Sequence, residues 1–203
     1  MTDGAHIRLD LADADKDSSK TISAVGFGMG IYTKILKPGD IIDIAYCMNE
    51  YTFKGKTSIS LYLEDLRINA GGSFLWEKPE IAEDLYRSGM ELDQIAKLAK
   101  TTAAEGLIPS KVEYLACYQI VKNECRGETS YADTPLLARL ITAESGVPVT
   151  PFKVARCFEV FSEANLIKLG VSSSLRVCIR FLKTEGKTDL KKSAVYMRLL
   201  NNG

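Results

Sequence analysis

Histidine is almost missing from this sequence. His6 is the only one in 203 residues. A serine or cysteine nucleophile needs a partner base, so a histidine-driven triad would have to be built on His6. A two-metal phosphoesterase needs several carboxylates, and usually histidines, around ions about 4 Å apart. No such clustering is visible. The five cysteines stand at wide spacings with no Cys-x-x-Cys pair, which excludes the tight ligand spacing of a zinc site. Cys47, Cys117, Cys125, Cys157 and Cys178 read as reduced thiols in helices and strands. No apolar run reaches the roughly 18 residues that a membrane span requires. Met1 to Asp10 lacks the basic-then-apolar order of a signal peptide. A cytoplasmic protein with no membrane partner is the expectation.

Two glycine- and acid-rich stretches also fall short of their motifs. Gly26-Phe-Gly-Met-Gly30 matches neither the dinucleotide fingerprint nor a phosphate loop ending in Gly-Lys-Ser/Thr, and it reads as a sharply bent strand end. Asp10, Asp13, Asp15 and Asp17 resemble the start of a calcium loop but lack its glycine and its distal glutamate. No catalytic residue, metal ligand or cofactor is assigned to the chain.

What the sequence does hold is a division. Residues 6–68 read as strands. His6–Leu11 alternates, with Ile7, Leu9 and Leu11 on one face. A second strand is expected over Thr21–Phe27 and a third over Ile41–Met48, after the turn Lys37-Pro-Gly-Asp40. Asn49–Lys56 is expected as a hairpin tip. Thr57–Ile68 alternates again, with Ile59, Leu61 and Leu63 against Ser58, Ser60, Tyr62 and Glu64. Four short strands with turn signals suggest a small barrel of the OB kind, one strand short.

Beyond residue 73 the period becomes helical. A helix is expected over Glu91–Ala104. Ser110 and Glu113 form a capping box for the next, which runs to about Glu124 with Val112, Leu115, Ile120 and Tyr118 inward. Thr134-Pro135 and Thr150-Pro151 open two more, the second burying Val154, Phe158 and Phe161. A strand over Leu175–Leu182 follows Leu166–Leu169, and Thr188 is expected to cap a last helix. Helices followed by two strands give the order of a winged helix. The fold class is therefore α+β: an OB-like barrel over 1–73, a linker over 74–90 and a winged-helix-like domain over 91–203.

Charge follows the same division. Residues 1–77 carry eight Lys/Arg against eleven Asp/Glu, a net of −3, and residues 166–203 carry eight against two, a net of +6. A basic end attracts polyanions.

Ile22-Ser-Ala-Val-Gly-Phe-Gly-Met-Gly30, Leu36-Lys-Pro-Gly-Asp40, Ile42-Asp-Ile-Ala-Tyr46, Asn49-Glu-Tyr51, Gly55-Lys56 and Leu61 to Asp65-Leu-Arg67 occur in an order that resembles the OB domain of RecJ-type exonucleases. Residues 91–200 resemble the additional C-terminal domain of the family's low-GC Gram-positive branch, on domain order and on Leu107-Ile-Pro109 opening a long helix. The resemblance implies a parent enzyme that degrades single-stranded DNA from the 5′ end with manganese or magnesium, in repair and recombination. It places that metal in catalytic domains upstream of these residues. It also implies that the family's OB domain begins one strand before His6, which would leave a barrel edge open.

An OB fold holds single strands by stacking and a basic track. On that basis Tyr51 and Tyr62 are expected as stacking rings, Arg8, Lys54 and Lys56 as phosphate contacts, and Phe27 as core. In the second domain Lys153 and Arg156 are placed on the outer face of the third helix, and Arg176 and Arg180 on the exposed face of the last strand. Single-stranded DNA is the expected partner, with single-strand-binding protein or another replication or repair protein as a docking partner. Two rival readings remain: a protein-interaction module without DNA affinity, and a winged-helix transcriptional regulator.

Overall fold

The alternation around His6 forms a strand, β1 (His6–Leu11), whose apolar side chains turn to one face. In the computed structural model, residues 5–13, 20–69, 73–124, 130–171, 173, 175–183 and 188–201 are described. The chain divides into two units, Met1–Ala70 and Gly71–Gly203.

The first unit is one four-stranded sheet in the order β1-β2-β4-β3, with β2 at Ile22–Phe27, β3 at Ile42–Phe53 and β4 at Lys56–Ile68. β1 pairs antiparallel with β2, β2 parallel with β4, and β3 antiparallel with β4. The sheet is open, with β1 and β3 as its edges, so the expected barrel is not formed among the described residues. The inner face buries Ala24, Leu61, Leu63 and Leu66, covered by Leu9, Leu11, Met29, Tyr32, Leu36, Ile42, Ile44 and Ile68. Further along the same face Met48 and Ile59 are exposed, beyond the cover that ends the core. The β3–β4 hairpin is longer than expected. Both strands run to a two-residue turn, Lys54-Gly55, with φ of 49° and 73°. Positive φ at both positions is the primed turn whose twist matches paired strands, and glycine suits the second.

The second unit begins with helices where a linker was expected: α1 (Phe74–Glu77) and α2 (Pro79–Arg87). Leu75 and Ala82 are buried, so this stretch is part of the packed unit. Next come α3 (Leu92–Leu98), a π-helical turn (Ala103–Leu107) and α4 (Lys111–Glu124). The capping box holds: the Glu113 amide donates to Ser110 Oγ at 3.3 Å and Glu113 Oε2 accepts from the Ser110 amide. The expected inward face of α4 holds only in part: Tyr118 and Ile120 are half-buried, with the Tyr118 ring against Phe161 and Phe181. Val112 and Leu115 are exposed, and Glu113, Tyr114, Cys117 and Val121 are buried instead.

A short strand that sequence did not reveal, β5 (Ser130–Asp133), leads into α5 (Thr134–Ser145). Asp133, one residue before the expected Thr134, caps α5 by accepting from the Leu136 amide at 3.1 Å. Thr150 caps α6 (Pro151–Glu163), accepting from the Lys153 amide. Then β6 (Ile167–Val171) and β7 (Arg176–Phe181) complete an antiparallel sheet in the order β5-β7-β6. The last helix, α7 (Ala194–Asn201), is capped by Ser193, which accepts from the Tyr196 amide, and not by Thr188. No helix among the described residues is long and apolar enough to cross a membrane.

Candidate nucleic-acid interface

The outer face of the first sheet follows from what cannot fit on its inner face. A Cβ on Gly26 would lie 2.7 Å from Met29 Sδ and 3.0 Å from Ile7 Cγ2. Any side chain there would have to displace Met29 and press on Ile7, and burial along β2 puts Ala24 and Gly26 inward and Ser23, Val25 and Phe27 outward. Phe27 was expected in the core. It is instead 61% exposed, because the alternation of β2 runs through its two small residues. Register then brings His6 of β1 opposite Phe27, and Tyr62 of β4 beside Val25.

The three rings form a row. His6 and Phe27 lie 5.2 Å apart edge-on, and Phe27 and Tyr62 5.7 Å apart. The ring of His6 is held by its Nδ1, which accepts from the Gly28 amide at 3.0 Å. Arg8 is exposed next to this row, and its Nε donates to Ser23 Oγ at 3.1 Å. Rows of edge-on rings with one cation at the border can stack bases and meet a phosphate. Lys54 is exposed at the hairpin turn, in the left-handed conformation. Tyr51 pairs with Ser58 and Lys56 with Phe53 along the hairpin, while their side chains lie outside the described residues. His6 and Phe27 thus belong to the outward ring row, which sequence reading did not single out; the small residues Ala24 and Gly26 were the signal.

In the second unit two of the expected contacts are corrected. Lys153 and Arg156 are buried, not on an outer face. Lys153 Nζ donates to Glu113 Oε1 at 2.7 Å. Arg156 Nη2 donates to both oxygens of Glu83 at 2.8 Å and to Glu159 Oε1 at 3.1 Å. Its guanidinium lies 3.9 Å from the centre of the Tyr86 ring and 4.7 Å from that of Phe152. Burial pushes the Glu159 carboxyl up, and Arg156 opposes the shift. The reason for the misplacement is that α6 carries buried apolar residues on all sides (Phe152, Val154, Cys157, Phe158, Val160 and Phe161), and a helix apolar all round is buried all round.

Arg176 and Arg180 are exposed on β7, where Val177 and Ile179 turn inward between them. Arg180 stands opposite the exposed Lys168 of β6, and Arg176 opposite Asp133 of β5. Among the described residues no three His, Cys, Asp or Glu side chains converge as metal ligands. Asp15 and Asp17 of the acidic run, and Cys125, lie outside the described residues.

An open-faced sheet with an outward row of rings is the kind of surface on which the bases of a single strand can stack. Residues 1–65 match the family model of the RecJ OB domain. This stretch is a RecJ-type OB-domain region, as the order of motifs from Ile22 to Arg67 suggested. No curated protein and no solved structure matches the chain.

Proposed function

We propose that the chain binds single-stranded DNA as a non-catalytic portion of a RecJ-type 5′–3′ exonuclease acting in DNA repair and recombination in the cytoplasm. One observation carries this reading: His6, Phe27 and Tyr62 form an outward row of rings beside Arg8, in the unit that matches the RecJ OB domain. Bases stack on Phe27, Tyr62 and Tyr51, and Arg8, Lys54 and Lys56 meet phosphates. The metal-dependent chemistry belongs to catalytic domains outside these residues.

The second unit is a winged-helix-like domain in this proposal. The order α4, β5, α5, α6, β6, β7 and the sheet order β5-β7-β6 support it. The burial of α6 argues against a transcriptional regulator, because groove reading needs an exposed recognition helix. The exposed pair Val112 and Leu115 on α4 favours docking of single-strand-binding protein or another repair protein as a second role.

The test is fluorescence anisotropy of a labelled oligothymidylate with the full chain. Stacking is worth about 1–3 kcal/mol per base, so the double variant Phe27→Ala, Tyr62→Ala is expected to weaken binding by about tenfold or more. Both rings are exposed, and circular dichroism checks that the fold persists. Unchanged affinity in the double variant would reject the ring row as the site.

A further inference from the structure

We propose that His6 contacts the strand as an uncharged donor: its imidazole, held neutral with the proton on Nε2, donates a hydrogen bond to an oxygen of the strand whose base stacks on Phe27. The inference rests on the single-strand-binding reading and deepens it, because it gives that site a fixed donor without charge.

The hydrogen bond to Gly28 sets the tautomer. A neutral imidazole has one N–H donor and one acceptor nitrogen. Nδ1 of His6 accepts from the Gly28 amide at 3.0 Å, so the proton lies on Nε2. A second proton, on Nδ1, would meet the amide proton of Gly28, so the cationic form gives up this bond. Two contacts hold the ring. Gly28, at φ of 74°, directly follows Phe27, and the Phe27 ring lies edge-on to His6 at 5.2 Å. Nε2 itself has no hydrogen-bond partner among the described residues. A donor already held in place gives up little freedom when an acceptor reaches it.

The surroundings suit a single strand. His6 and Arg8 share the outer face of β1, opposite Phe27 and Val25, and stand roughly 6–7 Å apart along the strand. Arg8 brings charge and His6 brings none. Uncharged donors on nucleic acid fix register and orientation. Asp10, the next outward residue of β1, is an acceptor and disfavours phosphate, so the strand's oxygens are met at the His6 end. A strand offers two kinds of oxygen to such a donor, on the phosphate and on a base carbonyl.

The test is nitrogen NMR of the full chain labelled in histidine with the heavy isotope. One histidine gives one Nδ1 and one Nε2 resonance. In mildly alkaline buffer the free chain is expected to show an N–H nitrogen at Nε2 and a lone-pair nitrogen at Nδ1. Saturating oligothymidylate is expected to move Nε2 and to leave Nδ1 in place. An equal shift with oligodeoxyadenylate assigns the acceptor to the phosphate. A shift with oligothymidylate alone assigns it to the base, because adenine has no carbonyl oxygen. A proton found on Nδ1 overturns the proposal. So does an Nε2 resonance that stays in place while anisotropy shows the strand bound, and that outcome leaves the ring row standing. No binding of either strand overturns both.

His6→Phe keeps a ring against Phe27 and removes the donor. It is expected to weaken binding about twofold to tenfold, the worth of one neutral hydrogen bond. The slope of log K against log salt is expected to stay the same, since no charge is lost. Circular dichroism reports that the variant is folded. Unchanged affinity overturns the proposal, and a lowered slope overturns it too, because His6 would then act as a cation.

Discussion

Arg156 is the residue whose chemistry differs most from its appearance in the sequence. An arginine between apolar neighbours on a helix reads as a surface cation, yet its side chain is fully buried between two rings and two carboxylates. Breaking a buried pair outright costs about 3–5 kcal/mol, because the other charge is left without compensation. Arg156→Ala leaves the buried Glu83 with one partner, the half-exposed Arg87, whose Nε donates to Glu83 Oε1 at 2.8 Å, so the second unit is expected to lose up to that amount; urea unfolding measures it. The neighbouring Glu159 makes a pH test. Its folded pKa lies above the ordinary carboxylate value because burial disfavours its charge. The folded state therefore holds more protons than the unfolded one between those two values. Stability from this group is full below the ordinary value and declines as pH rises through the raised one. Glu159→Gln is expected to remove that decline, seen as the difference between the two pH profiles of unfolding. Identical profiles would show that Glu159 ionises as easily in the fold as in water.

Elements were legible where one period governs them. β1 and β2 alternate throughout and β4 alternates as far as Leu63, where a bulge against β3 shifts the buried set to Leu66; α6 was framed by Thr150-Pro151 and by its phenylalanines. The capping box at Ser110 was visible because it is local. What failed was the facing of helices that bury charge. On α4 the apolar residues Val112 and Leu115 suggested the inner face, but Glu113 turns inward to meet Lys153 from forty positions away. A partner so distant leaves no trace in local spacing. The same blindness moved Lys153 and Arg156 outward. Exposed substitutions usually change stability by less than about 0.5 kcal/mol, whereas core leucines truncated to alanine cost about 2–5 kcal/mol. Leu115→Ala is expected in the first range. A thermal melt that falls as for a core leucine would place α4 with the opposite face inward.

At the scale of the whole molecule, the proposed grip on a strand falls to the first unit. That unit has rings and a net negative charge over its stretch of sequence, so its contribution is short-range stacking. A single OB fold covers roughly 4–16 nucleotides, so on this reading oligothymidylates of about 8 and about 40 meet the same site. The long strand is then expected to bind more tightly only by its greater number of positions, at low and at moderate salt alike. An excess beyond that number, shrinking as salt rises, would show that cations outside the ring row also hold the strand.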